Sequence, residues 1–148
     1  MSRKPNKTRE AYIKKLPERA ELLKESTKNN IVFNFKFFYF GENGGQSFKD
    51  WEKEKILSDL NNKLKIFSGK TVRELQKDKT LEIYTEYPKG SLFICPPALQ
   101  GTGITWSRLR LTGRRRLIGF FFEGAEQPIT TFYVVFLDKN HEFAPSNK

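Results

Sequence analysis

Residues 105–122 decide the predicted fold and read Thr-Trp-Ser-Arg-Leu-Arg-Leu-Thr-Gly-Arg-Arg-Arg-Leu-Ile-Gly-Phe-Phe-Phe. Two kinds of side chain alternate along 105–111, and this period of two is typical of a β-strand. One face carries Leu109 and Leu111, and the other carries Trp106, Arg108 and Arg110. Thr112-Gly113 fits a hairpin turn, and residues 114–122 return as a second strand. The stretch therefore predicts an antiparallel β-hairpin.

Three further segments carry the alternation of a strand, namely residues 31–40, 80–87 and 130–137. In the first of them, one face holds Ile31, Phe33, Phe35, Phe37 and Tyr39. Such an apolar face is typical of a strand that packs on a core.

Between the first two of these strands, apolar residues recur at spacings near three and four, as in a helix. Ser47 is a suitable N-cap, and the apolar stripe over 48–67 predicts one long helix that ends at Ser68-Gly69. Thr71-Val-Arg-Glu74 matches a capping box. It predicts a second, short helix to about Lys77.

The element order predicts the domain organisation. A strand, two helices and several antiparallel strands over residues 30–143 indicate a single α+β domain, with the helices packed on an antiparallel sheet of about four to five strands. Residues 1–29 form a basic N-terminal extension that is predicted to be a partly helical arm. Pro17 divides that arm, because proline suits the first position of a new helix. Residues 144–148 form a polar tail.

Composition excludes several classes of protein. The chain has 148 residues, enough for one domain, and its 14 Phe supply the burial that disordered chains lack. No apolar run approaches the about 20 residues of a membrane span, and no secretory signal is predicted behind Met1. A single cysteine, Cys95, excludes an internal disulfide and a multi-cysteine zinc site. We expect a cytoplasmic protein that contacts no membrane and needs no metal or cofactor, since nucleotide-binding glycine motifs are also absent.

The charge indicates the class of partner. Lys and Arg number 27 against 17 Asp and Glu, which gives a net charge of +10. Between residues 101 and 120 there is no acid, and the basic residues are Arg108, Arg110, Arg114, Arg115 and Arg116. Arginine's planar fork suits phosphate, and an anion would relieve the repulsion between neighbouring guanidiniums. With Trp106 as a stacking platform, the hairpin predicts an interface for single-stranded RNA. The alternative is a solvated face that only keeps the protein soluble.

The only histidine, His141, directly follows the predicted last strand. An imidazole can act as general acid or base near neutral pH, and arginines can stabilise the extra negative charge on a pentacoordinate phosphate. Cleavage of RNA by its own 2′-hydroxyl needs a base, an acid and such cations. The alternative is a surface histidine without a catalytic role.

Trp106-Ser-Arg, the run Thr112-Gly-Arg-Arg-Arg-Leu-Ile118 and the histidine after the last strand resemble the RelE/ParE toxin superfamily. The YoeB-like and HigB-like mRNA interferases are the most similar members. The likeness in element order spans 31–143, and the motifs are confined to 106–118 and 132–143. The resemblance implies a RelE-like fold and a small toxin that cleaves mRNA, typically on the ribosome. It also implies a cognate antitoxin protein that wraps the toxin and masks its site.

The resemblance also implies roles for individual residues. Arg116 matches the arginine that stabilises the transition state, and His141 matches the C-terminal general acid. Arg108 stands where a substrate-binding arginine is expected. Glu82 and Glu86, on the preceding strand, are the candidates for the family's catalytic glutamate. The predicted RNA-binding residues are Arg108, Arg110, Arg114, Arg115 and Trp106.

Two departures from the family pattern leave other interpretations open. Phe143 stands where many members have an aromatic residue or tyrosine, and it lacks the hydroxyl that a tyrosine-dependent step needs. Residues 1–29 and 88–103 also lengthen the chain. One alternative is a non-catalytic module that binds RNA or DNA through the same arginine hairpin. Another is a protein-interaction domain whose basic face binds an acidic partner.

Overall fold

A computed structural model describes residues 7–42, 44–122 and 129–145. The predicted turn over 123–128 and the end of the predicted polar tail lie outside these residues. Helix α1 (Lys7–Thr27) precedes the domain, and all of its described side chains are exposed. It continues through Pro17, so the predicted division of the arm at that residue is wrong. No helix in the described part of the chain is long and apolar enough to cross a membrane.

The described part of the domain contains one five-stranded sheet. Its strands are β1 (Val32–Asn34), β2 (Leu81–Ile83), β3 (Ile104–Arg110), β4 (Arg116–Phe122) and β5 (Thr131–Asp138). The spatial order is β1-β5-β4-β3-β2, and every pairing is antiparallel except that of β1 with β5. The predicted α+β fold is confirmed, but the sheet is mixed rather than antiparallel throughout. Alternation along a strand fixes its two faces and leaves its neighbour unspecified.

The first strand is much shorter than the predicted 31–40. The backbone N–H of Lys36 donates to Oδ1 of Asn34 at 2.8 Å, and the N–H of Phe38 donates to the carbonyl of Phe35 at 3.1 Å. These bonds turn the chain after Asn34, since a short amide side chain competes with the strand ladder for backbone donors. The turn sends Phe37 to the opposite side of the sheet from Phe33.

Among the described residues between β1 and β2 there are three α-helices, namely α2 (Phe48–Lys53), α3 (Leu57–Ser68) and α4 (Val72–Lys77). The predicted single helix over 48–67 is divided because Lys55 has a φ of 61°, outside the right-handed helical region. Both predicted caps are confirmed, as Ser47 and Thr71 each form a reciprocal capping box with the residue three positions later.

The hairpin connection is longer than Thr112-Gly113. Arg110 pairs directly with Arg116, so five residues connect β3 to β4. The backbone N–H of Leu111 donates to the carbonyl of Arg115 at 3.0 Å and closes the turn. The second strand therefore begins at Arg116 rather than at 114.

Both faces of the sheet are buried. The helices cover one face, where Trp51, Leu60 and Phe67 belong to the same core cluster as Leu109 and Phe132. The other face carries a second, largely aromatic cluster that includes Trp106, Phe120, Phe136, Phe143 and Phe93. The segment 84–99 contributes to this second cluster, and for that reason β2 ends at Ile83 instead of continuing to 87.

Gly119 lies at a β-bulge where the pairing of β4 with β5 shifts. A Cβ atom on Gly119 would lie 2.1 Å from the carbonyl oxygen of Tyr133 and 2.7 Å from the ring of Phe132. At Gly69, after α3, the nearest such contact is 3.6 Å. Gly119 therefore needs to lack a side chain on steric grounds, whereas Gly69 does not.

We expect Gly119→Ala to lower the free energy of unfolding by about 3 kcal/mol, because overpacking against backbone cannot be relieved by a rotamer change. Gly69→Ala is the matched control and should stay within about 0.5 kcal/mol of wild type. Urea denaturation measures both values. Equal stability of the two variants would contradict the close approach of β4 and β5.

Candidate functional site

Charged residues converge at the end of the sheet where β3 finishes, β4 begins and β5 finishes. Arg110 pairs with Arg116, and Arg116 pairs with Asp138, so the three lie in one row across three strands. Directly opposed residues on neighbouring strands share a face. This is the face that carries Trp106 and the second core cluster. We use "cationic cluster" for Arg108, Arg110, Arg114 and Arg116.

Asp138 anchors the turn that follows β5. Its side chain is fully buried, and its carboxylate oxygens accept the backbone N–H groups of Glu142 at 2.9 Å and of Phe143 at 3.0 Å. Burial raises the pKa of Asp138, and the two backbone hydrogen bonds oppose that rise. The anchored turn seats Phe143 in the second core cluster and holds His141 at the rim of the sheet.

His141 lies within the electrostatic field of the cationic cluster. Partial burial lowers its pKa below the usual 6.5, and the charge of Arg116 lowers it further, while Asp138 raises it. Smaller contributions from Arg108 and Arg114 also lower the pKa. The imidazole is therefore neutral at pH 7 and can accept a proton. Its φ of 58° is a left-handed conformation that histidine adopts more readily than most side chains.

Arg116 is the half-buried centre of the cationic cluster. Its Nη1 donates to the carbonyl oxygens of Gly113 and Arg115, each at 2.9 Å. Its Nε is buried and has no hydrogen-bond partner within the described ranges. Desolvation lowers the pKa of Arg116, as do the charges of Arg108 and Arg110. A buried, unpaired N–H beside two further cations favours the approach of an anion.

Arg108 and Glu82 hold each other. Nε and Nη2 of Arg108 donate to the same Oε2 of Glu82 at 3.1 and 2.8 Å, and Nη1 donates to the carbonyl oxygen of Thr80 at 3.2 Å. Arg108 is only 9% exposed, whereas the Glu82 side chain is 54% exposed. Glu82 is thus the partner of an arginine, which disfavours the role of catalytic glutamate for which it was a candidate. Arg108 contributes charge to the site with most of its donors already engaged.

Two predicted RNA-binding residues, Trp106 and Arg115, instead make contacts within the protein. Trp106 is 6% exposed and packs against Phe136 and Tyr87 in the second core cluster, so the prediction of a stacking platform is wrong. Arg115 donates from Nη2 to Oδ2 of Asp59, a residue of α3, at 3.2 Å. The charge of Arg115 therefore serves the contact between the hairpin turn and the helical layer.

The structure brings the remaining predicted residues together. Arg110 and Arg114 are exposed, and Arg116 and His141 are partly buried beside them. Sequence reasoning missed Asp138 and also Tyr84, whose pKa is raised to about 12, mainly by burial and then by the charge of Glu82. Tyr84 thus stays a hydrogen-bond donor at neutral pH. An acid at the end of a strand, followed closely by a histidine, was the available signal for Asp138.

No group of three or more His, Cys, Asp and Glu side chains in the described residues is arranged to hold a metal ion. Comparison with family models, with curated proteins and with solved structures found no match to this chain. The interpretation of the site therefore depends on its own geometry.

We expect the pKa of His141 to lie below 6.5 in the folded protein. His141 is the only histidine, so one imidazole signal in an NMR titration reports it without ambiguity. Arg116→Ala removes the cation with the larger effect and should raise this pKa more than Arg114→Ala does. Arg73→Ala, on the exposed surface of α4, removes the same charge and should leave the titration unchanged. If the pKa of His141 is the same in Arg116→Ala as in wild type, the two side chains are not neighbours.

Proposed function

We propose that this protein is an endoribonuclease toxin of the RelE/ParE type that cleaves mRNA by attack of a ribose 2′-hydroxyl on the adjacent phosphate. One observation supports this most strongly. His141, held neutral at pH 7, lies in the field of Arg116, Arg108 and Arg114. A proton acceptor beside desolvated cations is the combination that phosphoryl transfer within RNA requires.

The proposed reaction uses these side chains in sequence. His141 accepts the proton of the 2′-hydroxyl as the 2′-oxygen bonds to phosphorus. Arg116 stabilises the additional negative charge on the pentacoordinate phosphate. The bond from phosphorus to the 5′-oxygen then breaks, and that oxygen takes up a proton. The products are a 2′,3′-cyclic phosphate and a 5′-hydroxyl.

The assignment of His141 differs from the role that the family resemblance implies. A histidine whose pKa lies below its usual value is a poor proton donor at neutral pH and an effective acceptor. We therefore propose that His141 is the general base. Tyr84, which remains protonated because its pKa is about 12, is a candidate donor to the departing 5′-oxygen.

The proposal extends to partners. Arg110 and Arg114 are exposed on a chain with a net charge of +10, and such a surface attracts both RNA and an acidic protein. We propose that RNA, bound on the ribosome or alone, is the substrate, and that a cognate antitoxin masks the cationic cluster with acidic side chains.

A non-catalytic RNA-binding module is the second candidate. The engagement of Glu82 by Arg108 favours it, because this pair removes one titratable group from the reaction. Such a module would bind RNA through Arg110, Arg114 and Arg116 and would leave the RNA intact.

We expect the protein to cleave short single-stranded RNA to products that end in a 2′,3′-cyclic phosphate. Arg116→Ala and His141→Asn should each slow cleavage by about 100-fold or more. Asparagine is the chosen replacement because it tolerates the left-handed backbone at 141. Gel electrophoresis of end-labelled RNA measures the rates.

Arg73→Ala is the control for loss of one surface charge and should cleave at the wild-type rate. RNA with a 2′-deoxyribose at the cleavage position should stay intact. If Arg116→Ala and His141→Asn both cleave RNA as fast as the wild type does, the proposal is contradicted. Binding that weakens in Arg116→Ala, without cleavage by any form, would favour the non-catalytic module.

A further inference from the structure

A cleft of about 460 Å³ opens beside the edge strand β2, and it shares Arg108 and Arg110 with the cationic cluster. The other residues that line it are Gln76, Lys79, Leu81, Glu82 and Ile83. Binding sites for small ligands typically measure about 300–1,000 Å³ and combine apolar walls with a few polar groups. The cleft has this composition and size, and its position makes it continuous with the site proposed above.

We propose that this cleft binds the base of a nucleotide adjacent to the cleaved phosphate and selects guanine. This inference depends on the proposed function and adds a substrate preference to it. A chain whose phosphates lie on the cationic cluster can place one unstacked base in the neighbouring cleft. Proteins bind single-stranded RNA in this way, with bases turned out of the strand and hydrogen bonded along their edges.

The polar groups of the cleft define the base. Glu82 contributes a half-exposed carboxylate, and Nε and Nη2 of Arg108 both donate to its Oε2, so Oε1 is the oxygen left to accept from a base. A carboxylate only accepts hydrogen bonds when ionised. Guanine presents two adjacent donors, N1–H and the N2 amino group, and is the only one of the four bases to do so. Adenine and cytosine place one amino group beside an acceptor nitrogen, and uracil places its single N–H between two carbonyls.

The remaining lining residues complete the match. Gln76 and Lys79 are exposed at the α4 side of the cleft and can donate to O6 of guanine. Ile83 is 40% exposed and offers an apolar surface on which the face of the base can pack. Arg110 lies in both the cleft and the row with Arg116, so it can bind the phosphate that joins the two positions. This arrangement assigns Glu82 to recognition of the base rather than to proton transfer.

The test uses the full-length protein and fluorescein-labelled hexamers of 2′-O-methyl RNA, which have no free 2′-hydroxyl and cannot be cleaved. Each hexamer has five uridines and one central G, A, C or U. Fluorescence anisotropy gives the four dissociation constants. We expect the G hexamer to bind about tenfold more tightly than each of the others, a difference of about 1.4 kcal/mol, because only guanine offers two adjacent donors to Oε1 of Glu82.

Glu82→Gln should reduce the preference for guanine to within about twofold, since the amide replaces one acceptor with a donor and can still accept from Arg108. Gln76→Ala, a surface change that leaves the fold intact, should also reduce it. Glu52→Gln is the matched control, because Glu52 is an exposed acid of α2 that lies outside the cleft. Its preference should equal that of wild type.

Three results would overturn the inference. Equal binding of all four hexamers, weakened by Arg116→Ala, would remove base selection while leaving the proposed function in place. A uniform loss of affinity in Glu82→Gln would assign Glu82 to anchoring Arg108 alone. Failure of the wild type to bind any hexamer would contradict both the cleft and the proposed function.

Discussion

The buried carboxylate of Asp138 is the constraint on which the site depends. It lies at the end of the last strand, where it accepts two backbone N–H groups of the following turn. Without those bonds, the N–H groups of Glu142 and Phe143 would be buried or half-buried without partners, which costs about 1–3 kcal/mol for each fully buried group. The same two bonds place Phe143 in the second core and fix the direction in which His141 leaves the sheet. A requirement of folding thereby positions the proposed catalytic group.

The positive charges of the cationic cluster repel one another and are only partly compensated by acids. Arg110 and Arg116 are direct cross-strand neighbours, and like charges in such pairs destabilise a sheet. The fold offsets part of this repulsion with Asp138 in the same row and with Glu82 on Arg108. Burial lowers the pKa values of both Arg116 and His141, and the positive charge that remains uncompensated lowers them further. A bound phosphate would relieve the same repulsion, so the cationic cluster favours the binding of an anion.

Local patterns in the sequence predicted where strands lie and where helices begin, but they did not predict which distant segments pack against one another. Alternation located the hairpin, and the capping boxes at Ser47 and Thr71 located helix starts, because these signals act over a few residues. Alternation also put Trp106 on the correct face, but that face is covered by the segment 84–99, which no local pattern predicts. Local patterns could not predict the ion pair of Arg108 with Glu82 either, because the two residues are 26 positions apart in the sequence.

The pKa of His141, measured by NMR with and without saturating uncleavable RNA, shows directly whether a polyanion binds among the arginines. A phosphate bound among the arginines places negative charge beside the imidazole and favours its protonated form. We expect the pKa to rise on binding and the rise to disappear in Arg116→Ala. A pKa that stays unchanged while RNA is bound would show that the polyanion binds away from His141 and Arg116, and it would contradict the proposed site.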